Sequence, residues 1–198
     1  MASRLRRALV GLLAASLVAA LLIALPQFGP EPVDTAPTAE ARIRLRMVFP
    51  VKGRVWYTDN FGACRAGCRR RHQGVDIMGH KMDPLVAAVD GRITVFRHAP
   101  QGNYLTLTSR GGWSFNYVHL NNDRPGTDDG RNFRKYAFAR GLHLGSRVRA
   151  GQLIAYMGDS GNAESVSPHL HFEIRKGPGW TGEAIDPYWS LRTARRRG

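Results

Sequence analysis

The chain has 198 residues, enough for one domain with a core of its own. It carries 29 Lys and Arg against 15 Asp and Glu, a net charge of +14, which suits an anionic partner unless it reflects arginine-rich composition alone. No basic patch interleaved with regularly spaced aromatics is present, which argues against nucleic acid and leaves a membrane surface or an anionic wall polymer.

The first 26 residues decide the compartment. Arg4, Arg6 and Arg7 precede an uncharged apolar run over residues 8–25 that stops at Pro26, a charged leader followed by an export or anchor segment. As a helix this run would measure roughly 27 Å, close to the thickness of a bilayer core. Val18 and Ala20 permit cleavage after Ala20, but that would leave an apolar end over residues 21–25. A signal-anchor is therefore favoured over a cleaved signal peptide, with the arginines on the cytoplasmic side of the membrane and the rest of the chain extracytoplasmic. Residues 27–42, rich in Pro, Glu, Thr and Ala without apolar periodicity, read as a linker.

From residue 43 the pattern is one of short strands. Ile43, Leu45 and Met47 alternate with Arg44 and Arg46, which predicts a first strand. After Val55-Trp56-Tyr57-Thr58 comes a turn at Asp59-Asn60-Phe61-Gly62. Cys64 and Cys68 are expected to pair outside the membrane, although closing so small a loop contributes only about 2 kcal/mol. A basic turn (Arg69, Arg70, Arg71) then leads into His72-Gln73-Gly74-Val75-Asp76, where a strand would set His72 and Asp76 on one face.

Residues 84–89 and 92–96 read as two strands joined by an Asp90-Gly91 turn, and residues 103–108 and 113–119 as a second such pair. In the latter Trp113, Phe115 and Tyr117 alternate with Ser114, Asn116 and Val118, and His119 continues the aromatic face. Residues 121–145 are dense in Gly, Asp, Arg and Asn and lack regular pattern. Residues 148–158 read as strand, turn, strand. In Ser167-Pro168-His169-Leu170-His171-Phe172-Glu173-Ile174 two histidines two apart share one face of a strand. His80, His98 and His143 fall in or near turns and are expected to be exposed. Residues 191–198 form a basic tail, expected to be solvated.

No long stretch after residue 30 has helical periodicity, so the fold class is mainly β, an antiparallel sheet domain preceded by one N-terminal apolar helix. Two His and one Asp are a zinc set, because a catalytic zinc keeps three protein ligands and an open position.

The order His-x-x-x-Asp, Tyr-x-His-Leu, Pro-His-Leu-His-Phe-Glu resembles the lysostaphin/LytM-type zinc metallo-endopeptidases, from about residue 48 to about residue 187. The resemblance implies a catalytic domain over residues 43–190, with a sheet flooring a narrow groove that holds one Zn2+. It implies His72, Asp76 and His171 as the zinc ligands, and His119 and His169 as the two non-ligand catalytic histidines. It implies hydrolysis of peptide bonds in peptidoglycan stem peptides or cross-bridges, by a protein anchored to the membrane or secreted to the wall. Set beside the family, residues 121–145 look like an insertion next to the site. With no His-Glu-x-x-His helix to offer a glutamate base, the two imidazoles are the available acid and base. The alternative is a non-catalytic wall-binding domain that activates another cell-wall hydrolase, against which stands the complete set of four histidines and one aspartate.

Overall fold

The computed structural model describes residues 43–196; the apolar run and the linker expected ahead of them lie outside the described residues. In chain order the elements are β1 (Cys64–Arg65), β2 (Arg70–Arg71), β3 (Val75–Met78), β4 (Pro84–Val86), β5 (Gly91–Arg97), β6 (Asn103–Ser109) and β7 (Trp113–Leu120). There follow the short helix α1 (Arg134–Ala137), then β8 (Arg147–Val148), β9 (Leu153–Tyr156), β10 (His169–Lys176), β11 (Glu183–Ile185) and helix α2 (Tyr188–Thr193). The expected mainly β, antiparallel character is what the chain adopts. Among the described residues no helix is long and apolar enough to cross a membrane.

Seven strands form the main sheet, in the order β11-β10-β7-β6-β5-β8, with β3 also paired to β10. Strand β10 is the hub. One edge pairs with β7; the other pairs with β3 through its first half and with β11 through its second. Alternation gives the sheet two unlike faces. Ile93, Leu105, Leu107, Phe115, Tyr117, Leu170, Phe172 and Ile174 point into the hydrophobic core. Thr106, Thr108, Ser114, Asn116, His169, His171 and Glu173 alternate with them on the other face. A separate two-stranded ladder of β4 and β9 meets the core side, where the buried Tyr117 hydroxyl donates to the Val86 carbonyl (2.9 Å) and accepts from the Ala88 amide (2.8 Å).

Several local expectations give way to tertiary pairing. The hairpin of residues 103–108 and 113–119 forms as β6 and β7. The Asp90-Gly91 turn, however, does not join a hairpin: β4 pairs with β9, whereas β5 pairs with β6 and β8. Likewise β8 and β9 do not pair with each other, because Gly151 turns the chain back onto Ala87 (amide to carbonyl, 2.8 Å) and sends the two strands to different sheets. Residues 43–47 form no strand; the leading segment is held by isolated bridges, Val48 to Arg195 and Val51 to Leu85. The terminal basic residues are tied in as well. The Arg195 amide and carbonyl bond Met47 and Phe49, Leu191 is buried, and the Arg196 guanidinium lies 4.1 Å from the Phe49 ring centroid.

Candidate metal centre

Register brings the histidines together. Strands β10 and β3 pair so that His171 faces Asp76, which sets an imidazole and a carboxylate side by side on the polar face. His72 is not on a strand with Asp76, as the four-residue spacing had suggested. It lies between β2 and β3, where its amide donates to the Ala63 carbonyl (2.9 Å) and its carbonyl accepts from the Gly62 amide (2.8 Å). Those bonds extend the small β1–β2 hairpin, which a Cys64–Cys68 disulfide closes. Gly74 then lets the chain pass beneath the site, since a Cβ there would stand 2.5 Å from the Phe172 carbonyl oxygen and 2.9 Å from the His171 ring.

Three donor atoms converge. His72 Nε2 is 3.0 Å from Asp76 Oδ1 and 2.9 Å from His171 Nδ1, and His171 Nδ1 is 2.9 Å from Asp76 Oδ1. The atoms pointing away from the centre all have partners. His72 Nδ1 lies 2.8 Å from the Asn60 carbonyl, which can only accept, so this nitrogen carries the proton and Nε2 carries the lone pair. His171 Nε2 lies 3.0 Å from Glu173 Oε1 and donates to it. Asp76 Oδ2 accepts from Arg65 (2.8 Å) and more weakly from the Asn60 amide (3.3 Å), leaving Oδ1 to the centre. A mixed nitrogen and carboxylate triad, each imidazole oriented by an acceptor behind it, is the donor set of a zinc site. The residues present therefore fit the ion.

Electrostatics agree with that reading. Burial works against the Asp76 carboxylate, but its interactions with the His171 and His72 imidazoles outweigh it and hold its pKa well below the usual carboxylate range. Burial likewise opposes a charged His171, yet its hydrogen bonds to Asp76 and Glu173 raise its pKa. In the metal-free chain the proton kept there is the one an incoming cation displaces. Glu173 is itself buried, and bonds from His171, Arg175 and Asn116 overcome that burial and bring its pKa down to about 2. Behind it runs a hydrogen-bonded line across three strands: Thr106 to Asn116 (2.7 Å), Asn116 to Glu173 (2.7 Å), Glu173 to His171 (3.0 Å).

His119 and His169 stand beside the triad, with ring centroids 4.8 Å apart, and His119 lies 6.1 Å from the His171 ring. His119 does not continue the aromatic face of β7. Its neighbours Val118 and Leu120 pair with the consecutive residues Tyr104 and Asn103, so His119 is the extra residue of a β-bulge. Its φ of 62° turns the side chain from the core face to the polar one. Each of these two imidazoles donates from Nδ1 to a carbonyl at 2.9 Å, Ser160 for His119 and Ser167 for His169, leaving Nε2 unprotonated. Burial lowers the His119 pKa to about 4. His98 and His143 are exposed and His80 is largely so, as expected.

The five residues singled out from sequence thus come together, and their supporting residues emerge only here. Glu173 could have been found, because it follows His171 by two and shares its face. Ser160 and Ser167 act through backbone carbonyls, as Asn60 does toward His72, and no side-chain identity signals a carbonyl.

Comparison with known proteins gives the family. An L-Ala--D-Glu endopeptidase of Bacillus subtilis is 29% identical over 158 residues, covering 75% of this chain and 43% of its own length. A murein hydrolase activator, NlpD, of Salmonella dublin is 28% identical over 176 residues, covering 85% of this chain and 38% of its own. The chain thus spans less than half the length of these curated relatives. Among solved structures, a putative glycyl-glycine endopeptidase LytM from Ruminococcus gnavus superimposes with a TM-score of 0.58 at 27% identity, covering 76% of this chain and 62% of its own. The family model of peptidase family M23 matches residues 70–187, from the strand before His72 to the residue before α2, and the chain belongs to that family.

Proposed function

We propose that this chain is a zinc-dependent endopeptidase that hydrolyses peptide bonds of bacterial peptidoglycan, in stem peptides or cross-bridges. The observation that carries the reading is the convergence of His72 Nε2, Asp76 Oδ1 and His171 Nδ1 within 3.0 Å of one another, beside two imidazoles whose Nε2 atoms are unprotonated. His72, Asp76 and His171 would hold one Zn2+. When bound, zinc supplies Lewis-acid polarisation of the scissile carbonyl and makes water a competent nucleophile near neutral pH. His119 and His169 have their Nδ1 protons fixed on carbonyls, so each presents Nε2 as the atom that takes or returns a proton. Such a pair provides both a base for the attacking water and an acid for the departing amine. Glu173 and Asn60 keep the ligand imidazoles turned, and Arg65 keeps Asp76 presenting a single oxygen.

The setting is extracytoplasmic. The Cys64–Cys68 disulfide supports an oxidising compartment, and membrane attachment through residues 8–25 completes the proposal. A second reading is favoured by the likeness to a murein hydrolase activator: a wall-binding domain that switches on another hydrolase. Incubating the purified, zinc-loaded protein with purified peptidoglycan and identifying fragments by mass spectrometry separates the two. Peptide fragments absent from the Asp76→Ala control support the enzyme; an intact wall, with cleavage appearing only when a second hydrolase is added, supports the activator.

A further inference from the structure

Strand pairing continues the metal centre into a straight row across the sheet. Asp76 pairs with His171, His171 with Val118, Val118 with Tyr104, and Tyr104 with Arg97. Directly opposed residues share a face, so all five side chains belong to the polar face that carries the site. Val118 and Tyr104 are partly open, whereas the next row along the strands, Glu173, Asn116 and Thr106, is buried. A loop over residues 177–182 lies along that side. It is tied down by Ser114 Oγ, which bonds the Gly177 carbonyl (2.7 Å) and the Gly179 amide (2.8 Å), and by Arg175, which donates to the Trp180 and Gly182 carbonyls. The loop presents Trp180, 39% exposed, edge-on to Tyr104 at 5.3 Å. On the other side stands Ser160, whose hydroxyl accepts from the Asn103 amide and whose carbonyl holds His119. The open row therefore runs between two built walls, from the metal ligands over a small Val118 and an aromatic Tyr104 to the exposed guanidinium of Arg97, 5.8 Å from the Tyr104 ring centroid.

We infer that this row is a substrate subsite and that Arg97, at its far end, selects an extended peptide carrying a carboxylate remote from the scissile bond. The inference rests on the endopeptidase reading and names the acidic class of peptide it takes. Opposed Cα atoms lie about 5 Å apart, so Tyr104 is roughly 10 Å and Arg97 roughly 15 Å from His171. An extended peptide advances about 3.3 Å per residue, which puts Tyr104 about three residues and Arg97 four to five residues from the bond at the metal. Short side chains suit Val118, the backbone suits the aromatic step, and a carboxylate suits the guanidinium.

The test uses the zinc-loaded full chain and two probes: purified peptidoglycan stem peptides with free carboxylates, and the same peptides amidated. Binding is read by stopped-flow tryptophan fluorescence before turnover, and kcat and KM by fragment release. The expected result is about tenfold tighter binding of the acidic peptides, lost in Arg97→Gln through weaker acidic binding alone, partly restored in Arg97→Lys and unchanged in Arg110→Gln. Zinc content and kcat should stay within about twofold. Equal weakening of both probes in Arg97→Gln, or a preference that survives it, overturns the subsite. An Arg97-dependent preference without turnover keeps the subsite and removes the endopeptidase; turnover without preference does the reverse; absence of both binding and turnover overturns both.

Discussion

Around Lys81 three carboxylates share one ammonium: Asp123 at 2.6 Å, Asp128 at 2.8 Å and Asp159 at 2.9 Å. Around Asp76 one carboxylate meets two imidazoles, and its guanidinium partner touches only the oxygen that faces away. Asp123, Asp128 and Glu164 also place oxygens within 4.8 Å of one another, as the triad does, yet Asp123 and Asp128 already bond an ammonium of the chain's own. Proximity of acidic groups is common to both regions. What distinguishes the candidate metal centre is that, among the described residues, no lysine or arginine reaches its inward atoms, where only an exchangeable imidazole proton stands. Burial opposes the charged form of Lys81, but its three carboxylates outweigh that and raise its pKa; Asp159 is raised because burial outweighs its share of the ammonium. The first region is an electrostatic unit of residues 121–145 and their neighbours satisfied by the chain's own ammonium, and the second has the donor set proposed to accept an ion.

Breaking the second region should have the largest consequence. Asp76→Ala or His171→Ala should lower zinc affinity by more than the 10- to 100-fold typical of losing a supporting partner, read by competition with a chelating dye, and activity should vanish with the metal. Next, His119→Ala or His169→Ala should keep one zinc per chain while turnover falls by roughly two to four orders of magnitude. Loss of zinc from His169→Ala would exchange the roles of ligand and catalyst. The same variants sharpen the pH behaviour. An ordinary imidazole would put the acid limb near pH 6–7, but His119, lowered to about 4 by burial, stays neutral well below that. If His119 is the base, activity therefore persists to about pH 4–5 in fully metallated protein; a limb at 6–7 assigns the base to another group.

In the first region Lys81→Met strands Asp123 and Asp159, both almost fully buried, and should cost roughly 3–5 kcal/mol in urea unfolding. Zinc affinity should not change. A coupled loss of zinc would erase the distinction between the two regions. Glu173→Gln keeps shape but weakens the acceptor behind His171, and zinc affinity should fall about 10- to 100-fold, with Thr106→Val at the end of the line weaker still. Reducing the Cys64–Cys68 bridge should be smallest, about 2 kcal/mol or less, expressed mainly through His72 because the hairpin delivers it.

The residues of the candidate site were legible because their types are rare in strands and stand in short patterned segments, as in His169-Leu170-His171. Antiparallel β character was legible in the alternation of β6 and β7. Pairing partners were not. Asp90-Gly91 is a sound local turn signal, yet β4 buries Leu85 and Val86 by joining β9, a choice set by the core rather than by the turn. Nothing in Val118-His119-Leu120 marks a bulge, since the irregularity shows only against the partner strand. The carbonyls of Asn60, Ser160 and Ser167 were invisible for the same reason: any residue supplies one.

The bulge at His119 acts as a phase shift in the sheet. Up to Tyr117 the odd positions of β7 feed the core; one extra residue resets the count, and Leu120 is fully buried again. A side chain has been moved between faces by chain length, with the sheet itself unaltered. The placement of imidazoles on this face is therefore sensitive to insertion and deletion in a way that substitution scanning does not sample. Removing His119 should leave a folded β-domain with its triad in place and His169 as its single flanking imidazole, a route from the proposed peptidase to a domain that binds wall without cutting it.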